Sequence, residues 1–250
     1  MASATRRVSV CLRSASVEVR EGYAPVARLL AHRAASARPL VVGIAGGVAV
    51  GKSTAAAAVS ELNAAGPVEV VATDGFLLPN AVLMERGILH RKGFPESYDV
   101  RAVEAFLDAV HGGEPGISVP VYSHVTYDVT EERLPIDPPD VLILEGVNAL
   151  RSADRLDVGV YLDAPEPAMQ AWYVARFLEL CADAPPGSFY AQFADVDLDG
   201  RQRLAAEVWR SVNLPNLREH IRPTVSRADI VVVKRADHTV GRVDVVNLVP

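Results

Sequence analysis

The sequence predicts an α/β fold, a mostly parallel central sheet with helices on both faces, and three observations carry that prediction. Apolar strand-like runs alternate with helix-forming runs along the chain, the order expected when crossover helices join parallel strands. The run at residues 39–45 is apolar without alternation, as strands covered on both faces are. With 250 residues, 50% of them hydrophobic, the chain can bury the core of one large domain.

The elements follow in order. Residues 18–35 form the first helix candidate, behind a candidate N-terminal arm of residues 1–17. Residues 39–45, Pro-Leu-Val-Val-Gly-Ile-Ala, are β-branched and apolar and read as a buried strand. Residues 53–65 are Ala-rich with Leu62, a strong helix composition. A second strand spans Val68–Ala72, and a helix over Val100–His111 places Val103, Phe106, Leu107 and Val110 on one face. Residues 112–139 change character, with several prolines, Tyr122, Tyr127 and Thr130-Glu131-Glu132, and predict a projecting loop or hairpin. Strands at 141–144, 157–162 and 229–233, with helices at 165–181 and 201–212, complete the pattern. Neither an internal repeat nor a linker interrupts it, so one domain over residues 1–250 is expected.

Composition excludes several classes. A net charge of −6 disfavours a general nucleic-acid binder, whose affinity comes from basic residues neutralising phosphates. The longest apolar runs, around residues 40–50 and 141–144, fall short of the ~18 to 20 residues that cross a bilayer. After Arg6-Arg7 only a brief apolar stretch precedes Arg13, unlike a secretory leader. Cys11 and Cys181 lie far apart without metal-ligand spacing, so both read as ordinary apolar residues of a reduced, cytoplasmic protein.

Gly46-Gly47-Val48-Ala49-Val50-Gly51-Lys52-Ser53 matches the phosphate-loop pattern G-x-x-x-x-G-K-[ST], between a strand and a helix as the pattern requires. The expected fold is therefore P-loop NTPase-like. Loop amides and the helix N-terminus converge on phosphate oxygens, Lys52 reaches the β/γ-phosphates, and the Ser53 hydroxyl suits Mg²⁺. With Thr54, these residues form the expected ATP-binding set. Phosphoryl transfer also needs an oriented acceptor and a metal site. Asp74 follows the second strand, at the ligand-facing edge of an open parallel sheet, where a carboxylate can take the acceptor's proton. Glu145 ends another buried strand at the same edge and is the candidate metal carboxylate. Asp195-Val196-Asp197-Leu198-Asp199-Gly200 starts like a calcium loop, but its twelfth position is Ala206. It reads as a solvated acidic loop in which Asp199 caps the following helix.

Longer motifs recur around these residues: residues 43–54; Thr73-Asp74-Gly75-Phe76 with Pro79-Asn80; residues 91–99, Arg-Lys-Gly-Phe-Pro-Glu-Ser-Tyr-Asp; and Pro120-Val121-Tyr122-Ser123-His124 with Tyr127-Asp128. Residues 143–148, Ile-Leu-Glu-Gly-Val-Asn, then Trp172-Tyr173 with Arg176-Phe177, and Asn213-Leu214-Pro215-Asn216-Leu217 follow. In this order they resemble bacterial type I pantothenate kinase over roughly residues 20–245. The resemblance implies ATP-dependent phosphorylation of pantothenate, the first step towards coenzyme A, by a cytoplasmic homodimer with Mg²⁺. It makes Asp74 the base, Lys52 and Ser53 the phosphate and metal contacts, and Arg176 a cation over the transferring phosphate. It also places Tyr122, His124, Tyr127, Tyr173, Arg176 and Asn213 around the pantothenate.

Three departures from the family pattern stand out. Ala57 occupies the place of a basic residue five positions after the loop lysine, so weak inhibition by coenzyme A is expected, strengthened by Ala57→Arg. The connection between the first helix and the strand at Pro39 is short, where the family carries a further helical segment. Leu180, Tyr190 and Phe193 replace the usual aromatic set near the acceptor, so a reshaped tail pocket is expected. Two rival readings are a P-loop kinase for another small hydroxyl compound, such as a nucleoside, sugar phosphate or secondary metabolite, and a nucleotide-triggered switch. The switch reading lacks an N-K-x-D base-reading motif, since Lys234-Arg235-Ala236-Asp237 has the wrong spacing.

Overall fold

Five parallel strands form the centre of the molecule in a computed structural model, which describes residues 15–34, 39–63 and 66–247. In chain order the elements are α1 (Val17–Ala34), β1 (Leu40–Gly46), α2 (Lys52–Leu62), β2 (Val68–Ala72), α3 (Asn80–Glu85) and α4 (Val100–His111). The hairpin β3 (Ser118–Ser123) and β4 (Asp128–Pro135) follows, then β5 (Val141–Glu145), β6 (Val158–Asp163), α5 (Glu166–Ala182), α6 (Leu198–Val208), α7 (Leu214–Asn216), β7 (Ile230–Lys234) and β8 (Val240–Val245). The sheet order is β2-β5-β1-β6-β7-β8, with β8 antiparallel to β7 at one edge. Every residue of β1 and β5 is buried, which is why their sequences carry no polar alternation. No helix among the described residues is long and apolar enough to cross a membrane.

The predicted strands and helices are present, with displaced ends that have local causes. Helix α2 stops at Leu62 because Asn63 turns extended; residues 64–65 of the expected helix lie outside the described residues. Val17, expected in the N-terminal arm, begins α1; residues 1–14, Cys11 among them, and the connection at 35–38 lie outside the described residues. Helix α6 begins at Leu198, three places before the expected start, because Asp197 and not Asp199 is its cap, accepting from the Gly200 amide at 2.7 Å. Residues 112–139 do contain a hairpin, β3–β4. Strand β8 was not expected. It is half-exposed and carries Arg242 and Asp244, so it lacks the apolar run that marked the others.

Candidate active site

Strand register brings the chemistry to one edge. Glu145 pairs with Ile44 of β1 on one side and with Ala72 of β2 on the other. The phosphate loop leaves β1 after Gly46, and Asp74 sits two residues beyond Ala72 in a 3₁₀ turn, Thr73–Phe76. Loop, Asp74 and Glu145 therefore emerge together at the carboxyl ends of parallel strands, where open α/β sheets bind ligands. The approach is close enough to require glycine: a Cβ on Gly146 would lie 1.7 Å from Thr73 Oγ1.

The loop residues occupy the expected places. Lys52 Nζ donates to the Gly47 carbonyl at 2.9 Å, and Ser53 Oγ donates to Glu145 Oε1 at 2.7 Å. Burial lowers the proton affinity of Lys52, opposed by the charges of Glu145 and Asp74. Burial raises that of Glu145, opposed first by Lys52. Each charge thus offsets part of the other's desolvation. Val50 turns its side chain into the core and offers only backbone, and Ala49 takes a left-handed φ of 63°. A cleft of about 610 Å³ opens beside Ala49, Gly51, Lys52, Ser53 and Thr54, with Arg176 and Glu179 of α5 on its other wall. Arg176 is exposed and makes no hydrogen bond or ion pair with any described residue. Its charge acts on Lys52 and Glu145. Ala57 is buried in α2, 1% exposed, so an arginine there would first have to displace its neighbours before meeting a phosphate. That corrects the expectation that Ala57→Arg simply adds a contact.

Apart from Arg176, which lines the cleft, the acceptor candidates lie outside it, on the hairpin, on α5 and, for Asn213, on the turn Trp209–Asn213. Tyr122 meets His124 edge-on with ring centroids 5.2 Å apart, and Tyr127 stacks on Phe189 at 4.2 Å. Tyr173 sits beside Asn213 and 6.0 Å from the Trp209 ring. Tyr190 and Phe193 pack on the same aromatic group through Phe177. The Asp74 carboxylate acts electrostatically on Lys52 and Glu145 on one side and on Tyr122, Tyr127 and His124 on the other. It stands at the junction of the two halves.

Three contributors escaped the sequence reading. Lys92 Nζ donates to Asn80 Oδ1 at 2.7 Å and to the Tyr127 carbonyl at 2.6 Å, and lies 4.5 Å from the centre of the Tyr127 ring. Tyr98, buried, donates its hydroxyl to Asp74 Oδ1 at 3.4 Å; burial first, then Asp74, raises its pKa well above the usual range, so it remains a donor. Lys234, at the end of β7, donates to the Val50 carbonyl at 2.9 Å, and Trp172 stacks on His238 beside it at 3.8 Å. Lys234, Asp237, His238 and Thr239 thereby line the cleft beside the phosphate loop. A lysine closing an apolar strand was the signal for Lys234. Lys92 lies within the motif of residues 91–99, where its residue type alone carries no role.

Comparison with known proteins agrees with this fold. The profile of the phosphoribulokinase/uridine kinase family matches residues 41–177. The chain is 43% identical over 227 residues to a pantothenate kinase of Vibrio cholerae, covering 83% of this chain and 73% of that protein. It is 46% identical over 222 residues to a pantothenate kinase of Sorangium cellulosum, covering 82% and 72%. Among solved structures it is similar in fold to a D-glycerate 3-kinase from Cryptococcus neoformans, with a TM-score of 0.62 at 12% identity over 93% of this chain and 100% of that one. It is likewise similar to phosphoribulokinase from Rhodobacter spheroides, with a TM-score of 0.53 at 12% identity over 79% and 71%.

Proposed function

The chain belongs to the pantothenate kinases of the phosphoribulokinase/uridine kinase family, and from that premise we propose how its residues divide the transfer of a phosphoryl group from ATP to pantothenate, giving 4′-phosphopantothenate. The observation that carries the reading is the convergence of Lys52, Ser53, Asp74 and Glu145 at one sheet edge, between a cleft reaching Arg176 and an aromatic acceptor wall.

Gly46 through Thr54 cradle the phosphates, and Lys52 exchanges the Gly47 carbonyl for β/γ-phosphate oxygens. Mg²⁺ fits the donor set: a hydroxyl and a buried carboxylate, both hard oxygens, lie side by side in Ser53 and Glu145. These two would hold the ion, which neutralises phosphate charge when bound. Asp74 takes the proton of the acceptor hydroxyl or orients it, and the unpaired Arg176 guanidinium stabilises charge on the moving phosphoryl group. Tyr122, His124, Tyr127, Tyr173 and Asn213 surround the pantothenate, whose carboxylate, amide and hydroxyls suit amphipathic rings and amide donors. Lys92 supplies the positive charge of that half. The same reading takes residues 1–250 as one kinase domain, working as a homodimer in the cytoplasm; sedimentation tests the dimer.

The direct test is product formation from ATP with a panel of hydroxyl acceptors. Pantothenate is expected to exceed nucleosides, sugar phosphates and other small alcohols; preference for one of those overturns the substrate. Coenzyme A added to the same assay is expected to compete only weakly with ATP, since position 57 holds a buried alanine; tight competition would show that another residue supplies the contact.

Burial lowers the pKa of Lys92 to about 8, with Asp128 and Asp74 pulling it upward. Because that value is depressed from 10.5, the cation is present below about pH 8 and lost above it. The ratio kcat/KM for pantothenate, which reports ionisations of the free enzyme, is expected to fall roughly tenfold per pH unit above that value. The limb should disappear in Lys92→Met. If it persists unchanged there, it belongs to Lys234, which burial also lowers to about 8.

A further inference from the structure

The geometry points to the Gly93 carbonyl as a node that sets the acceptor site, with Asn148 and Asn216 as its positioning residues. The inference rests on the pantothenate kinase reading above. Asn216 Nδ2 donates to Gly93 O at 2.9 Å and Asn148 Nδ2 donates to the same oxygen at 3.2 Å. Both asparagines are buried, 3% and 8% exposed, and they come from segments 123 and 55 residues away from Gly93.

What those segments carry gives the node its meaning. Gly93 follows Lys92, the cation of the acceptor half. Asn148 comes three residues after Glu145, and Asn216 three residues after Asn213 on a helical run, so Asn213 and Asn216 lie on neighbouring faces. One carbonyl therefore ties together the lysine loop, the metal carboxylate's strand end and the acceptor asparagine.

The local backbone is shaped for it. Gly93 adopts a left-handed φ of 93°, which other residues reach only with strain. Its amide donates to Ser97 Oγ at 2.9 Å, and its carbonyl accepts from the two asparagines. The helical run holding Asn216 is interrupted by π-turns at Trp209–Asn213 and Leu217–Ile221, a distortion that costs regular hydrogen bonding and recurs at functional sites. An amide group can donate where a carboxylate or an alkyl chain cannot. That requirement explains buried asparagines at both positions.

The test compares Asn148→Leu, Asn216→Leu and the double variant with the unmodified enzyme. Each single substitution is expected to raise KM for pantothenate about tenfold, the effect of one lost hydrogen bond to a buried group. The double should exceed the product of the two, because only it leaves the carbonyl without a donor. Turnover and KM for ATP should stay within about threefold. Asn216→Asp, similar in shape but without the donor, serves if the leucine variants do not fold, with the same rise expected. An unchanged KM for pantothenate in folded variants overturns the inference, as does an equal rise in both KM values, which a merely structural role would give. Amide exchange over residues 91–97 is the readout independent of substrate: it should quicken in the double variant, and unchanged protection overturns the node. Turnover of pantothenate by the unmodified enzyme reports separately on the function itself.

Discussion

Replacing Lys52 with methionine is expected to lower turnover by on the order of 10³-fold or more while leaving the fold intact. The size follows from removing a charged donor aimed at phosphate oxygens in a pre-formed site, where such contacts act on the transition state more than on the ground state. The fold should survive because, among the described residues, the Lys52 side chain bonds only to the Gly47 carbonyl, whereas the loop is held independently by buried Val50 and by Lys234 on the Val50 carbonyl. Two electrostatic effects then oppose each other: a desolvated ammonium is removed, and Glu145 loses its largest compensating charge. Steady-state kinetics and a thermal melt check both halves. Near-normal turnover would sink the phosphate-loop assignment.

Asp74→Asn keeps the shape of the side chain and removes the proton acceptor. A loss of at least ~10²-fold in kcat is expected, the range of general-base removal, with ATP affinity little changed. Tyr98 can still donate to the amide oxygen, so the turn that carries residue 74 should keep its position. Calorimetric ATP binding separates the roles: if binding collapses together with turnover, Asp74 belongs to the metal site and Glu145 becomes the candidate for the remaining role.

The parts of the site that sequence reveals are those where chemistry and strand ends coincide. The phosphate loop, Asp74 and Glu145 each come at or just after the end of a mainly apolar, buried strand, the edge at which open parallel sheets bind ligands. Helix α4 is found with its expected bounds because its apolar face repeats cleanly and Asp99 caps it, accepting from the Ala102 amide at 3.0 Å. Strand β8 was illegible for the opposite reason: it lies at a sheet edge, half-exposed and charged, so burial does not write itself into composition there. Helix α6 starts earlier than expected because Asp199, itself a good capping type, is not the cap; Asp197 is, and Gly200 falls in the first turn. Lys92, Tyr98, Lys234 and the two asparagines owe their roles to contacts between distant segments, which no local pattern encodes. The roles of Tyr122, His124, Tyr127, Tyr173, Arg176 and Asn213 came from resemblance. Their residue types alone are those of ordinary packing or surface positions.

The closing hairpin of the sheet has a consequence for biogenesis. The cleft beside the phosphate loop takes one wall from residues 49–54 and another from Lys234 through Val240, so it exists only once the chain through Val240 has left the ribosome. Domains made N-terminal end first at several residues per second pass through incomplete states of this kind. A nascent or prematurely ended chain would already contain its phosphate loop and yet lack the lysine that braces it and the stacked His238 beside it. A ligand that needs both walls of the cleft therefore finds its site only after the chain through Val240 has folded.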